Sequence, residues 1–294
     1  MPVNIKEIDF KSLIKKPLFW EIAVGGLVLL CAMIFVIVAL MRPADPGRET
    51  EQTGDYTEST ELVTEATLPP PESNPIGMSD FYMDGDYLSC LATPSVLGVD
   101  VSVWQKNIDW PKVKEAGVEF AMIRAGARGT EEGDLFEDSK AQANYEGATA
   151  AGIKVGAYFF SQAITVEEAV AEADYLLEII KDWDVQMPVV FDWEFVDSDA
   201  RTGEMDPRTL TDCAKAFCDR VKNAGHTPMI YFNTNQSFDM LYLAELKEYH
   251  FWLAQYDTVL KYPYKIDMWQ YTDSGKVPGI EGNVDINLYF PYEE

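Results

Sequence analysis

The chain has 294 residues, enough for one large domain with appendages, and a formal charge of −26. So acidic a chain repels polyphosphate, and no basic stripe follows the first 20 residues, which excludes a nucleic-acid partner. Its four cysteines, Cys31, Cys90, Cys213 and Cys218, lack zinc-ligand spacing, and neither His226 nor His250 has a matching partner. Idle or buried thiols are therefore expected, and no metal site.

Residues 1–21 form a basic N-terminus with Lys6, Lys11, Lys15 and Lys16. Residues 22–41 then run for twenty positions without a charge. At about 1.5 Å per residue such a helix spans the roughly 30 Å hydrocarbon core of a bilayer. The run is too long for a signal peptide and ends without a small-x-small cleavage site, so it reads as an uncleaved single-pass anchor in the cell membrane. The preceding lysines place the N-terminus in the cytoplasm and the rest of the chain outside. Residues 42–95 hold eleven acidic residues against two basic ones, with Pro69, Pro70 and Pro71 in the middle. Too little apolar surface is present to offset chain entropy, and a disordered, self-repelling stalk is expected, with only the patch Phe81-Tyr82-Met83 able to dock locally.

From residue 96 to 294 the texture is that of a folded α/β domain. Eight runs read as strands: 96–103, 120–125, 154–161, 188–195, 227–233, 250–256, 265–271 and 283–290. They are dense in Val, Ile, Phe, Tyr and Trp, several almost continuously, as in strands covered on both faces. Helical patterns lie between them. Residues 136–151 end before Gly152, and 165–181 open with Thr165 and Glu168 spaced as a capping box. Residues 208–224 follow Asp206-Pro207 and stop at Gly225. This alternation predicts a modified TIM-type β/α barrel. Only about nine residues separate the sixth and seventh strands, too few for a crossover helix, so the second half should carry reduced helices and could include an antiparallel strand. An open doubly wound sheet is the structural rival, weakened because no Gly-rich phosphate loop follows the first strand.

Four acids stand at strand ends: Asp100, Asp192, Glu194 and Asp285. Side chains alternate along a strand, so Asp192 and Glu194 share a face about 6–7 Å apart, pointing toward the mouth of a barrel where active sites sit. Closure of the barrel makes the first and last strands neighbours and brings Asp285 beside Asp100. Glycosidic cleavage needs this set. Crowded carboxylates raise one pKa so that a proton can be donated to the leaving oxygen, while a second anion stabilises positive charge at the anomeric carbon. Sugar rings stack on aromatic faces. Of the strand aromatics, Tyr158, Tyr231 and Trp269 are assigned to the pocket, and Phe160, Trp193, Trp252, Tyr256 and Tyr271 to packing.

The stretches Gly98-Val99-Asp100-Val101-Ser102, Phe120-Ala121-Met122-Ile123-Arg124, Gly156-Ala157-Tyr158-Phe159-Phe160, Val190-Phe191-Asp192-Trp193-Glu194, Met268-Trp269-Gln270-Tyr271 and Val284-Asp285 come in a telling order. With them, residues 97–290 resemble glycoside hydrolase family 25, the Chalaropsis-type lysozymes. The resemblance implies a monomeric barrel that hydrolyses the β-1,4 bond between N-acetylmuramic acid and N-acetylglucosamine of peptidoglycan glycan strands, without metal or cofactor. It implies Glu194 as the general acid, Asp192 as its partner carboxylate, and Asp100 and Asp285 as the rest of an acidic pit. The nucleophile stays open between Asp192 and the substrate's own N-acetyl oxygen. Two alternatives compete. A chitinase-like hexosaminidase would carry further acids where this chain has Met187 and Val190, and an inactive glycan-binding surface protein would have no need to retain all four acids.

Overall fold

The computed structural model describes residues 68–291. The expected anchor over 22–41 and the first part of the expected stalk lie outside the described residues. Among the described residues no helix is long and apolar enough to cross a membrane.

Eight strands close into a barrel: β3 (Val96–Val101), β4 (Phe120–Arg128), β6 (Lys154–Ser161), β7 (Val189–Trp193), β8 (Pro228–Asn233), β9 (His250–Ala254), β10 (Met268–Gly275) and β11 (Val284–Tyr289). Their order is β3-β11-β10-β9-β8-β7-β6-β4, and β3 pairs with β4 to complete the ring. All neighbours are parallel except β11, which runs antiparallel to both β10 and β3. An antiparallel strand, left open by the short late connections, does occur and closes the barrel, whereas the short link from the sixth to the seventh strand joins a parallel pair.

Helices cover the first half: α1 (Trp110–Glu115), α2 (Ala141–Ala150), α3 (Val166–Ile179) and α4 (Pro207–Asn223). After β8 come only the six-residue α5 (Thr234–Asp239) and one 3-10 turn (Leu243–Glu245), and no helix joins β9 to β10. Local chemistry fixes the ends. Asp206 caps α4 by accepting from the N–H groups of Arg208 and Thr209, and Gly225, at φ 91°, ends it in a conformation that favours glycine. On α3, Thr165 accepts from the N–H of Glu168, as expected. The reciprocal half of the capping box is absent. The Glu168 carboxylate accepts instead from the N–H of Ile164 and pairs with Arg201, a cation that reaches it more strongly than a backbone donor.

Two elements correct the sequence reading. Residues 136 and 137, expected as the start of a helix, belong to β5 (Leu135–Glu137), which extends β4 as an antiparallel ribbon. Residues 68–95, expected as stalk, carry ordered structure. Ser73 bridges Tyr264, and β1 (Phe81–Asp84) turns into β2 (Tyr87–Cys90). The turn uses Gly85 at φ 64°, the left-handed region a two-residue hairpin loop demands. Phe81 packs edge-on against Trp269 at 4.9 Å and also meets Phe290. The local docking allowed for Phe81 is what occurs, and it offsets the ordering entropy of the hairpin.

Strand alternation sorts the core into two layers. Phe120, Met122, Val190, Met229, Trp252 and Met268 fill the barrel interior, while residues such as Ile123, Phe159, Phe191, Trp193 and Ile230 face the helices. Gly98 lets β3 cross the interior beside Phe120, whose ring atoms would lie 2.2 Å from an added Cβ. Cys213 and Cys218 are buried free thiols on α4, as expected, and Cys90 is also free. Burial pushes the Cys213 thiol up to about 12, which leaves it unreactive.

Candidate active site

The C-terminal end of the barrel opens into a cavity of about 210 Å³. Asp100, Asp192, Glu194 and Asp285 all line it, so the four acids singled out by their strand positions do meet. Asp100 and Asp285 sit directly opposite each other across the antiparallel β3–β11 pair. Tyr158 and Tyr231 line the same pit, as expected, and Trp252 packs against both rings from below.

Trp269 does not belong there. It is fully buried on the outer face of β10, under Phe81 of the hairpin, and its indole N–H donates to the carbonyl of Gln255 at 2.8 Å. The inward residue of that strand is its neighbour, Gln270. Trp193 points outward, as alternation required.

Trp104 and Arg124 carry no assignment from sequence, and Phe160, Trp252 and Tyr256, assigned there to packing, line the pit as well. Trp104 stands on the rim with 76% of its surface exposed. It rides a short turn held rigidly: Ser102 Oγ accepts from the N–H of Trp104, and Gln105 Oε1 accepts from that of Ser102. Tyr256 is half exposed opposite. Arg124 is the one basic side chain among the lining residues, and it is tied by Nε and Nη2 to buried Asp138 at 2.8 and 2.7 Å. Asp138 also accepts from the N–H of Val103, so one carboxylate fixes both the cation and the turn bearing Trp104.

Glu194 lies one residue past the end of β7, where the ladder no longer satisfies the backbone carbonyls. Side-chain amides take over. Gln236 donates to the carbonyl of Trp193 at 2.5 Å, and Gln162 donates to that of Glu194 at 2.9 Å. Gln162 is itself held by Thr202 and Arg201, and its N–H donates to buried Glu172. The acid thus leaves a strand end clamped on both sides.

Burial and crowding set the protonation of the pit. Burial raises the Asp100 carboxyl, and hydrogen bonds from Asn287, Gln270 and Asp285 pull it back. Asp285 is pushed up to about 9 by burial and by the charge of Asp100 beside it. Asp192 is driven well above the usual range by burial and then by Glu194 and Asp100, with Arg124 opposing. Glu194 is raised by burial and by Asp100, and its bond with Asp192 draws it down. Four carboxyls therefore carry fewer than four charges at neutral pH. Both members of the Asp192–Glu194 pair are raised, so the pair holds a proton between them, with Asp192 the more deeply buried of the two. Among the described residues no group of three or more His, Cys, Asp and Glu is arranged to hold a metal ion.

Residues 99–280, more than half of the chain, match the model of glycosyl hydrolases family 25. The chain belongs to that family. Lysozyme M1 of Streptomyces globisporus is 28% identical over 248 residues, covering 76% of this chain and 82% of its own length. The N,O-diacetylmuramidase of Arthroderma benhamiae is 31% identical over 141 residues, covering 47% of this chain and 57% of itself. Among solved structures, the family-25 barrel resembles that of the modular autolysin LytC from Streptococcus pneumoniae, solved with a synthetic peptidoglycan ligand, with TM-score 0.59 and 25% identity. That match covers 67% of this chain but only 47% of the autolysin. The bacterial lysozyme of Streptomyces coelicolor matches at TM-score 0.50 and 27% identity over 66% of this chain and 91% of its own. This chain is a glycoside hydrolase of the lysozyme type.

Proposed function

We propose that this family-25 hydrolase cleaves the β-1,4 bond between N-acetylmuramic acid and N-acetylglucosamine in peptidoglycan. The observation that carries the reading is the convergence of Asp100, Asp192, Glu194 and Asp285 on one pit in which protons must be shared. Glu194 is the general acid, because it stands just past the end of β7, less buried than Asp192, and shares a proton with that partner. As a sugar seats over the pit, the shared proton passes through Glu194 to the leaving oxygen. Asp192 is left anionic beside the developing oxocarbenium ion. Its Oδ1, buried without a hydrogen-bond partner, suits an incoming acetamido N–H, which would aim the acetyl oxygen at the anomeric carbon. Attack by Asp192 itself is the competing route, and both retain configuration.

Glu194→Gln tests the assignment. It keeps the shape but has no proton to donate, so digestion of purified peptidoglycan should fall at least about 100-fold. A substrate with an activated aryl leaving group needs little protonation, and should be cleaved measurably by Glu194→Gln and not by Asp192→Asn. New reducing ends, labelled with borohydride, should appear at N-acetylmuramic acid. Near-normal digestion by Glu194→Gln ends this mechanism.

We also propose that residues 22–41 anchor the protein with the monomeric barrel outside the cell. Twenty uncharged residues preceded by four lysines support this topology. Protease added to wall-stripped cells should remove the barrel, and full protection by an intact membrane would refute it.

A further inference from the structure

Beside and below the four acids lies a set of neutral polar side chains that bond to the acids and to one another. Asn287 of β11 is fully buried, and its Nδ2 donates to Asp100 Oδ2 at 2.8 Å. Gln270 of β10 donates through Nε2 to the same oxygen at 2.9 Å. Each amide is oriented from behind. Trp252 Nε1 donates to Asn287 Oδ1 at 2.8 Å, and Tyr231 and Tyr256 donate to Gln270 Oε1 at 2.9 and 3.2 Å.

The indole removes any ambiguity in direction. An indole N–H can only donate, so the oxygen of Asn287 must face Trp252 and its NH₂ must face Asp100. Asp100 Oδ2 then meets two donors and cannot carry a proton. We infer that Gln270 and Asn287 are positioning residues: their amides hold Asp100 as an acceptor-only carboxylate, and the charge so fixed governs how tightly the Asp192–Glu194 pair keeps its proton. The inference rests on the glycosidase reading of the pit and adds to it the device that keeps the acid loaded.

The electrostatic chain is short. Asp285 of β11 shares its proton with Asp100, and the negative charge left on Asp100 raises both Asp192 and Glu194 of β7. The other ionisable groups facing this cluster are Arg124 on β4, Tyr158 on β6, Tyr231 on β8, and Tyr256 and Asp273 beyond β9 and within β10. Arg124 opposes the effect and is already committed to Asp138. The tyrosines stay neutral, since burial raises their hydroxyls. The anionic state of Asp100 is therefore the element of the pit that two uncharged amides decide. Without them the Asp100–Asp285 pair takes up a second proton, the pit loses one negative charge, and the acid lets go of its proton at lower pH.

The experiment uses the full chain and three variants: Asn287→Leu, Gln270→Leu and Trp252→Phe, which deletes the indole donor together with part of the ring's volume while leaving both amides in place. In the pH profile of kcat/KM on purified peptidoglycan, the alkaline limb reports loss of the loaded acid. It should move down by about one pH unit in the two leucine variants, and in the same direction by less in Trp252→Phe. A limb that stays in place while the rate falls, or one that moves up, overturns the inference, because a packing defect lowers rate without moving a titration. Carboxyl ¹³C NMR of the same proteins gives a reading that does not need turnover. The Asp100 carbon should remain in its ionised position from pH 5 to 8 in the wild type and titrate within that range in the leucine variants, and an unchanged Asp100 signal refutes the proposal. Failure of the wild type to cut peptidoglycan, with the NMR shift present, would sink the glycosidase reading alone.

Discussion

The buried Arg128–Glu172 pair gives the sharpest test of how the acid is held. Glu172 of α3 has no exposed surface, and its carboxylate accepts from Arg128 Nε at 2.6 Å, Ser161 Oγ at 2.5 Å and the N–H of Gln162 at 3.3 Å. Glu172→Leu would leave the Arg128 guanidinium buried and without its anion, and breaking one side of such a pair costs about 3–5 kcal/mol. Arg128 keeps the carbonyls of Gly133 and Glu168, and the Glu168 carboxylate stands 4.0 Å away, so the lower end applies, about 3 kcal/mol. For a domain of this size that is a fall in Tm of about 6–12 °C. Arg128→Met combined with Glu172→Leu should regain most of the stability, because an apolar pair of similar volume replaces a desolvated ionic one. Activity should stay low in both proteins, since Gln162 has lost the acceptor for its N–H and no longer holds the carbonyl of Glu194 in place. Calorimetry and a turbidity assay on peptidoglycan read the two effects separately. If the single variant loses less than about 1 kcal/mol, or the double variant is no better than the single, the reasoning fails.

Trp104→Ala removes an exposed ring from a rigid rim, so it should raise KM on peptidoglycan roughly fivefold, about 1 kcal/mol of lost stacking, with kcat and Tm unchanged. A fall in kcat alone would contradict a binding role. Trp269→Phe should behave oppositely, lowering stability by about 1 kcal/mol through the lost bond to Gln255 while kcat/KM stays at the wild-type level. Asp285→Asn tests protonation through stability. The folded carboxyl titrates near 9 and the unfolded one near 4, so between those values the unfolded chain holds fewer protons and wild-type stability falls as pH rises. Asparagine cannot ionise, so the Tm advantage of the variant should widen from pH 5 to pH 8, and parallel Tm curves would show that Asp285 is not protonated in the fold.

The barrel and its acids were legible because both follow from periodicity. Apolar runs marked the strands, and alternation put Val190 and Asp192 on one face and Trp193 on the other. The late helix-poor half was legible from connection length alone. Trp269 was not, because its strand position fits either face until the partner is known, and the partner is Phe81, nearly 190 residues away in a segment that composition reads as stalk. The signal for that hairpin was present in Asp84-Gly85 between Phe81-Tyr82-Met83 and Tyr87-Leu88, a pairing of turn and strand residues outweighed by the surrounding acids. Asp138, Glu172, Gln270 and Asn287 were invisible for a different reason. Gln270 and Asn287 act through Asp100, which only closure of the barrel brings to them, and Asp138 and Glu172 act through partners that meet only when helix and strand pack.

The barrel is closed by β11, the last strand, which carries Asp285 and Asn287 and lies between β3 and β10. Until that strand emerges from the ribosome, Asp100 has neither the carboxyl that shares its proton nor one of the two amides that hold its charge. A nascent chain can build seven of its eight staves and still possess no working pit. A hydrolase of this family would thus stay inert until its eighth barrel strand is made, and become competent in one step as that strand slots in.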